Sequence, residues 1–110
     1  FVIDLSPMQG VLVDPVKQTA RAEPGVIWIN FGIETQAFGL ATTGGTNSDI
    51  GIAGLTLGGG HGWLGGKYGL TVDNLLSVDI VTADGQMSTT SPTIPICSGQ
   101  CVAAAETSVL

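Results

Sequence analysis

The sequence predicts a mixed chain of antiparallel strands and a single helix, and three observations carry that reading. Short stretches near the start alternate apolar and polar residues, a longer stretch repeats apolar residues at helical spacing, and a late apolar run leads into a strong turn signal and a return strand. Val2, Ile3 and Leu5 run into the turn-forming Ser6-Pro7, and Val11 and Val13 repeat the pattern before Asp14-Pro15. Thr19, Arg21 and Glu23 then alternate with Ala20 and Ala22, which completes a small antiparallel meander with one wet face. Pro24 suits a first helical turn. Val26, Ile27, Ile29, Ile33, Ala37 and Phe38 follow at spacings of three and four, and Gly39 closes the helix.

From Leu40 to Leu70 glycine dominates, and short apolar pieces (Ile50, Ile52, Leu55, Leu57) are separated by residues that do not propagate a regular helix. This stretch is expected to be a structured loop region. Leu75, Leu76, Val78, Ile80 and Val81 then form a strand. Ala83-Asp84-Gly85-Gln86 is a hairpin turn, and Met87 to Thr90 is the return strand.

At 110 residues the chain holds one domain at most, with a composition able to bury a core. Nine acidic residues against Lys17, Arg21 and Lys67 give a net charge of −6. That balance supplies no basic stripe, so nucleic acid is not expected as a partner. No apolar run approaches a membrane span, so no membrane partner is expected either. The start has neither an initiator Met nor a signal-peptide pattern and is expected to be an internal boundary. Cys97 and Cys101 are too sparse for a disulfide framework and lack the further ligands of a zinc site.

The seventeen glycines point to a backbone that turns sharply or approaches a ligand closely. Gly60-His61-Gly62-Trp63-Leu64-Gly65 matches the letters of a dinucleotide fingerprint, but that motif must open a helix, and Gly65, Gly66 and Gly69 each disfavour one. A phosphate loop of the Walker type fails because Tyr68 follows Gly66-Lys67 where a small hydroxyl is needed. Two readings of the remaining runs stay open. Gly44-Gly45-Thr46-Asn47-Ser48-Asp49, Gly51 to Leu55 and Gly58 to Gly62 can present successive N–H groups to a cofactor diphosphate, with Ser48 or Asp49 adding side-chain bonds, or they can pack loops tightly under a sheet.

Taken in order, Val2 to Ser6, Thr35 to Leu40, Gly51 to Gly60, Gly69 to Leu75 and Val81 to Gly85 resemble one family. It is similar to the vanillyl-alcohol oxidase type flavoproteins, specifically the berberine-bridge-enzyme-like oxidases with a PCMH-type FAD-binding domain, over residues 1–91. The resemblance implies an α+β fold in which FAD lies between two subdomains, this chain supplying most of the second. It implies that Gly44, Gly45, Ser48, Asp49, Gly51, Gly54 and Leu55 lie near the cofactor, and that Gly58, Gly59, Gly60 and Gly62 form the supporting turn. Asp73-Asn74 would fix a loop. Such an enzyme transfers a hydride from an alcohol, amine or sugar substrate to FAD, which then passes its electrons to oxygen. The resemblance assigns no catalytic residue here: His61 is neither the expected base nor the flavin-linking histidine, and Trp63 and Tyr68 read as core or rim aromatics. The chain alone is expected to be inactive. Two other readings remain open, a stand-alone glycine-loop module binding a phosphate compound or a partner, and the product of a degraded gene.

After residue 91 the resemblance ends, and residues 92–110 form a tail outside the family. With synonymous codons, reading from the third base of the Pro92 codon gives Asp-Asp-Pro-Asp-Leu-Phe-Trp-Ala-Val-Arg-Gly-Gly-Gly-Gly-Asn-Phe-Gly-Val. That is the segment the family carries at this place, and continuing it into Val-Thr puts a stop after Leu110 in the shifted frame. The tail is therefore read as a reading-frame slip, expected to be poorly ordered or arbitrarily packed. Sequencing the DNA across Pro92 tests this: a frame encoding Phe-Trp-Ala-Val-Arg is expected, and its absence from every nearby frame refutes the slip.

Overall fold

The computed structural model describes residues 2–91 and 101–109. Its framework is a five-stranded antiparallel sheet in the order β1-β2-β5-β3-β4, with β1 at Val11–Asp14, β2 at Thr19–Ala22, β3 at Leu75–Val81, β4 at Met87–Thr90 and β5 at Cys101–Ser108. Helices α1 (Trp28–Gln36), α2 (Ile52–Leu57) and α3 (Gly65–Tyr68), with a short 3-10 turn at Val72–Asn74, fill the stretch between β2 and β3.

The two hairpins follow directly from local chemistry. Val11 pairs with Ala22 and Asp14 with Thr19, while the Asp14 carboxylate accepts the N–H groups of Val16 and Lys17 and so closes the turn. Val81 pairs with Met87 around a turn in which Gly85 takes a φ of 80°. The expected first strand does not form: Val2 and Ile3 are exposed, and residues 5–8 turn so that Leu5 and Met8 lie against Gly25. The meander is therefore a two-stranded hairpin preceded by a turn.

Helix α1 starts later than Pro24 and buries a different face. Ile27 stays extended at φ −99° and ψ 157°, because the flanking backbone bonds to residues 48–52: Trp28 N–H to the Ile50 carbonyl, Ile29 N–H to Ser48, and Ile52 N–H to Val26. The helix then buries Trp28, Phe31 and Thr35, leaving Ile29, Ile33 and Phe38 exposed. The two aromatic rings meet edge to face at 5.4 Å, a contact with more apolar area than the isoleucines offer. Thr35 can enter the core because its hydroxyl donates to the Phe31 carbonyl. Gly39, at φ 69°, ends the helix as expected.

The glycine-dense region is more helical than its composition suggests. Helix α2 directs Ile52 and Thr56 inward, the Thr56 hydroxyl bonding the Ile52 carbonyl, and carries only Gly54 inside it. A single turn, α3, even includes Gly65 and Gly66; over so short a span the cost of about 1 kcal/mol per glycine is tolerable.

The tail departs most from expectation. Residues 101–108 form the central strand, antiparallel to both β2 and β3. Cys97 lies outside the described residues. One core cluster joins Ala20, Ala22, Val26, Trp28, Phe31, Ile52 and Val109, and a second joins Leu75, Val78 and Ile80. On the other face of the sheet the buried Asp79 carboxylate pairs with Arg21 and accepts from Thr89, tying β2, β3 and β4 together. The Thr89 hydroxyl and then Arg21 hold its pKa below the usual carboxylate value.

The loops are pinned by one backbone contact: a Cβ on Gly62 would lie 1.6 Å from the Gly44 carbonyl oxygen. Gly62→Ala is expected to force the two segments apart and cost about 3 kcal/mol of stability, read by thermal denaturation. Gly65→Ala meets nothing within 4 Å and should stabilise by roughly 0.5–1 kcal/mol. Equal effects of the two substitutions would contradict the pinning.

Candidate functional site

The site grows from the crossing of residues 26–29 by residues 48–52. That crossing anchors the far end of the segment that leaves α1 at Gly39 and carries it over the indole of Trp28. A Cβ at Gly44 would stand 2.7 Å from Trp28 Cε3, and one at Gly45 would stand 3.3 Å from Cδ1 and 3.4 Å from the Leu55 side chain. Glycine at these positions lets the loop backbone lie on the ring. Behind it, the turn at Gly59 and Gly60 receives the N–H groups of Val72 and Thr71, and Leu55 fills the space between Gly45 and Gly60.

The result is an open groove of about 270 Å³ lined by Trp28, Thr42, Gly44, Gly45, Thr46, Ser48, Trp63 and Leu64. Trp63 is 85% exposed at its rim. Among the described residues, no acceptor within the protein is found for the main-chain N–H groups of Ala41 through Asp49, the last two of which lie in a turn. Two buried side-chain groups of the lining, Trp28 Nε1 and Thr42 Oγ1, have no partner among the described residues, and neither has the neighbouring Thr43 Oγ1. Buried donors and acceptors are ordinarily paired, so this concentration leaves hydrogen-bonding capacity that water or a polar ligand can take up.

Of the sequence-derived candidates, the structure brings Gly44, Gly45 and Ser48 to the groove, with Gly62 buried directly behind Gly44. Asp49 is exposed next to Ser48 and does not line the groove. Gly51 caps α2, Gly54 lies on its exposed side, and Gly58 ends it, all three facing open surface. Leu55, Gly59 and Gly60 support the loop from beneath. Sequence reasoning missed Trp28, Thr42 and Leu64, included Thr46 only as a member of the glycine-rich run, and assigned Trp63 only to a core or a rim. The dense Thr-Thr-Gly-Gly-Thr run was the available signal for the two threonines.

The chemistry open to this arrangement is binding and orientation. Among the described residues, no lining side chain is an acid or base that titrates near neutrality, so none of them can serve as a general acid or base. His61 is exposed and lies outside the lining. Nor does a cation line it: Lys17, Arg21 and Lys67 all lie outside the lining, Arg21 paired with Asp79 and Lys67 4.9 Å from the centre of the Tyr68 ring. Free N–H groups, hydroxyls and two indoles remain, and these fit a ligand combining oxyanions with flat aromatic rings, as FAD does.

Comparison with known proteins agrees. Residues 1–91 match the family model described as FAD binding domain. The chain is 47% identical over 91 residues to the FAD-linked oxidoreductase pgmH of Aspergillus terreus, covering 83% of this chain and 18% of that protein. It is 41% identical over 87 residues to (R)-6-hydroxynicotine oxidase of Paenarthrobacter nicotinovorans, covering 79% of this chain and 19% of that one. The chain thus spans less than a fifth of the length of these relatives. Among solved structures, 6-hydroxy-D-nicotine oxidase from Arthrobacter nicotinovorans superposes with a TM-score of 0.90 at 33% identity, over 98% of this chain and 26% of that one. Phl p 4, a grass pollen allergen with glucose dehydrogenase activity, gives 0.90 at 27% identity over 99% of this chain and 25% of its own. A glycine loop seated on an indole with its N–H groups free, together with a family match over most of the sequence, leads to one conclusion: the chain belongs to the FAD binding domain family.

Proposed function

We propose that this chain forms one wall of the FAD site in a longer, berberine-bridge-enzyme-like oxidoreductase, which moves a hydride from an alcohol, amine or sugar carbon to the flavin. The observation that carries this reading is the run of N–H groups from Ala41 through Asp49 without an acceptor in the protein, with Gly44 and Gly45 laid over Trp28. Gly44 and Gly45 present backbone donors to the cofactor, and Ser48 adds a hydroxyl. Asp49 ends the run, and Gly51 follows it as the cap of α2. Leu55, Gly59, Gly60 and Gly62 hold its shape from beneath, while Gly54 and Gly58 belong to α2 and its end.

When bound, FAD supplies the redox chemistry by accepting a hydride. The residues of this chain bind it, orient it and keep water from one side. Among the described residues the lining holds no base, so removal of the substrate proton is assigned to residues elsewhere in the full protein. The family match covers residues 1–91, and among the described residues none of 101–109 lines the groove.

Half a site binds weakly, because the ordering cost of the ligand is set against fewer contacts. FAD titrated into the isotopically labelled chain is therefore expected to bind in roughly the millimolar range. It should shift the amide signals of Gly44, Gly45, Thr46 and Ser48 and the Trp63 indole, with no turnover of alcohols, amines or sugars. Shifts confined to other surfaces would refute the assignment of the groove, and tight binding would refute the need for a second wall.

A further inference from the structure

The chain has three asparagines, Asn30, Asn47 and Asn74, and the fold treats them differently. Asn30 lies inside α1, and the buried Phe31 that follows it donates its N–H to the Ile27 carbonyl at 3.2 Å. The Asn74 carboxamide is held by the Tyr68 and Leu70 carbonyls at 3.1 and 2.9 Å, and the N–H of the buried Leu75 after it is bonded to the Val72 carbonyl.

Asn47 differs on every count. It is exposed, between Thr46 and Ser48, where a bend runs into a turn. Among the described residues its carboxamide makes no hydrogen bond, and the N–H of Ser48 after it finds no acceptor. The Ser48 side chain is small, unbranched and exposed, so nothing crowds the approach of one group to the other. A free carboxamide, an uncommitted following amide and a small next residue are what asparagine cyclisation needs.

We propose that Asn47 is a site of spontaneous deamidation, by attack of the Ser48 main-chain nitrogen on the Asn47 side-chain carbon. The new N–C bond closes a succinimide as the bond to the carboxamide nitrogen breaks, and that nitrogen leaves as ammonia with the proton the Ser48 nitrogen gives up. Water then opens the ring at either carbonyl and leaves aspartate or isoaspartate. The balance is one water consumed and one ammonia released, with no oxidant or metal needed.

Both products put a carboxylate on one side of Ser48, where Asp49 already stands on the other, and add one negative charge to the formal −6. Isoaspartate also routes the main chain through the former side chain and lengthens it by one carbon just before Ser48. The Ser48 carbonyl accepts the Ile29 N–H at 2.8 Å, one of the bonds that fix the crossing of residues 26–29 by residues 48–52. That product therefore pulls on the crossing, whereas aspartate leaves it in place. On the cofactor reading proposed above, the added charge also opposes a diphosphate at the groove, but the chemistry at Asn47 does not rest on that reading.

Ageing the full 110-residue chain at mildly alkaline pH, followed by peptide mapping that separates aspartate from isoaspartate, tests it. Conversion at Asn47 is expected to run about tenfold or more ahead of Asn30 and Asn74, whose neighbouring amides must first open. Ser48→Val, with a branched side chain beside the attacking nitrogen, should slow it by about tenfold. Amide exchange at Ile29 should quicken in the isoaspartate form and stay slow in Asn47→Asp. Equal rates at the three asparagines, or aspartate formed without isoaspartate, overturn the proposal. Equal Ile29 exchange in the isoaspartate form and Asn47→Asp overturns the link to the crossing. None of these readouts involves FAD, so their failure is distinct from a failure of FAD to bind.

Discussion

The crossing of residues 26–29 by residues 48–52 is the constraint from which the site follows. Three backbone hydrogen bonds, from Trp28, Ile29 and Ile52, fix that crossing. They hold Ile27 extended, delay the start of α1 until Trp28, and thereby turn Trp28 rather than an isoleucine toward the core. Once the indole is in place, the loop above it must be built of residues without side chains at Gly44 and Gly45. A loop resting on a ring face has no neighbouring strand to accept its N–H groups, and so its donors stay free for a ligand.

The glycines therefore divide by task. Gly62 allows one backbone to touch another, Gly60 at φ 74° makes a turn against Thr71, and Gly44 and Gly45 permit a close approach to an aromatic ring. Tight packing and ligand presentation, two readings that composition leaves open, coexist in one loop system. The groove gains polarity without charge, which suits recognition of a diphosphate by backbone dipoles and leaves acid–base chemistry to residues elsewhere. The chain spans under a fifth of the length of these relatives, and in the function proposed above it supplies one wall of the cofactor site.

How much of this was legible in the sequence depended on how local the controlling interaction was. The strands at Val11–Asp14, Thr19–Ala22, Leu75–Val81 and Met87–Thr90 are set by alternation and turn residues within a few positions, and they were read correctly. The face of α1 was misread because its isoleucines repeat as regularly as Trp28, Phe31 and Thr35, and only the distant 48–52 segment decides between them. Helix α2 was missed because glycine content was weighed above the inward Ile52 and Thr56. The tail was expected to pack without order, yet β5 enters the sheet because β2 and β3 both offer an edge to it. In the site, Gly44, Gly45 and Ser48 were visible as a run of small residues, whereas Trp28 and Trp63 join them only in three dimensions.

Amide hydrogen exchange tests the central claim most directly, because it reads donor by donor whether the loop keeps its N–H groups free. The account predicts protection at Trp28, Ile29 and Ile52, whose N–H groups make the crossing, and near-unprotected exchange from Thr42 through Asp49. Protection throughout Thr42 to Asp49 would contradict it, since those donors would then be committed within the protein and unable to receive a cofactor.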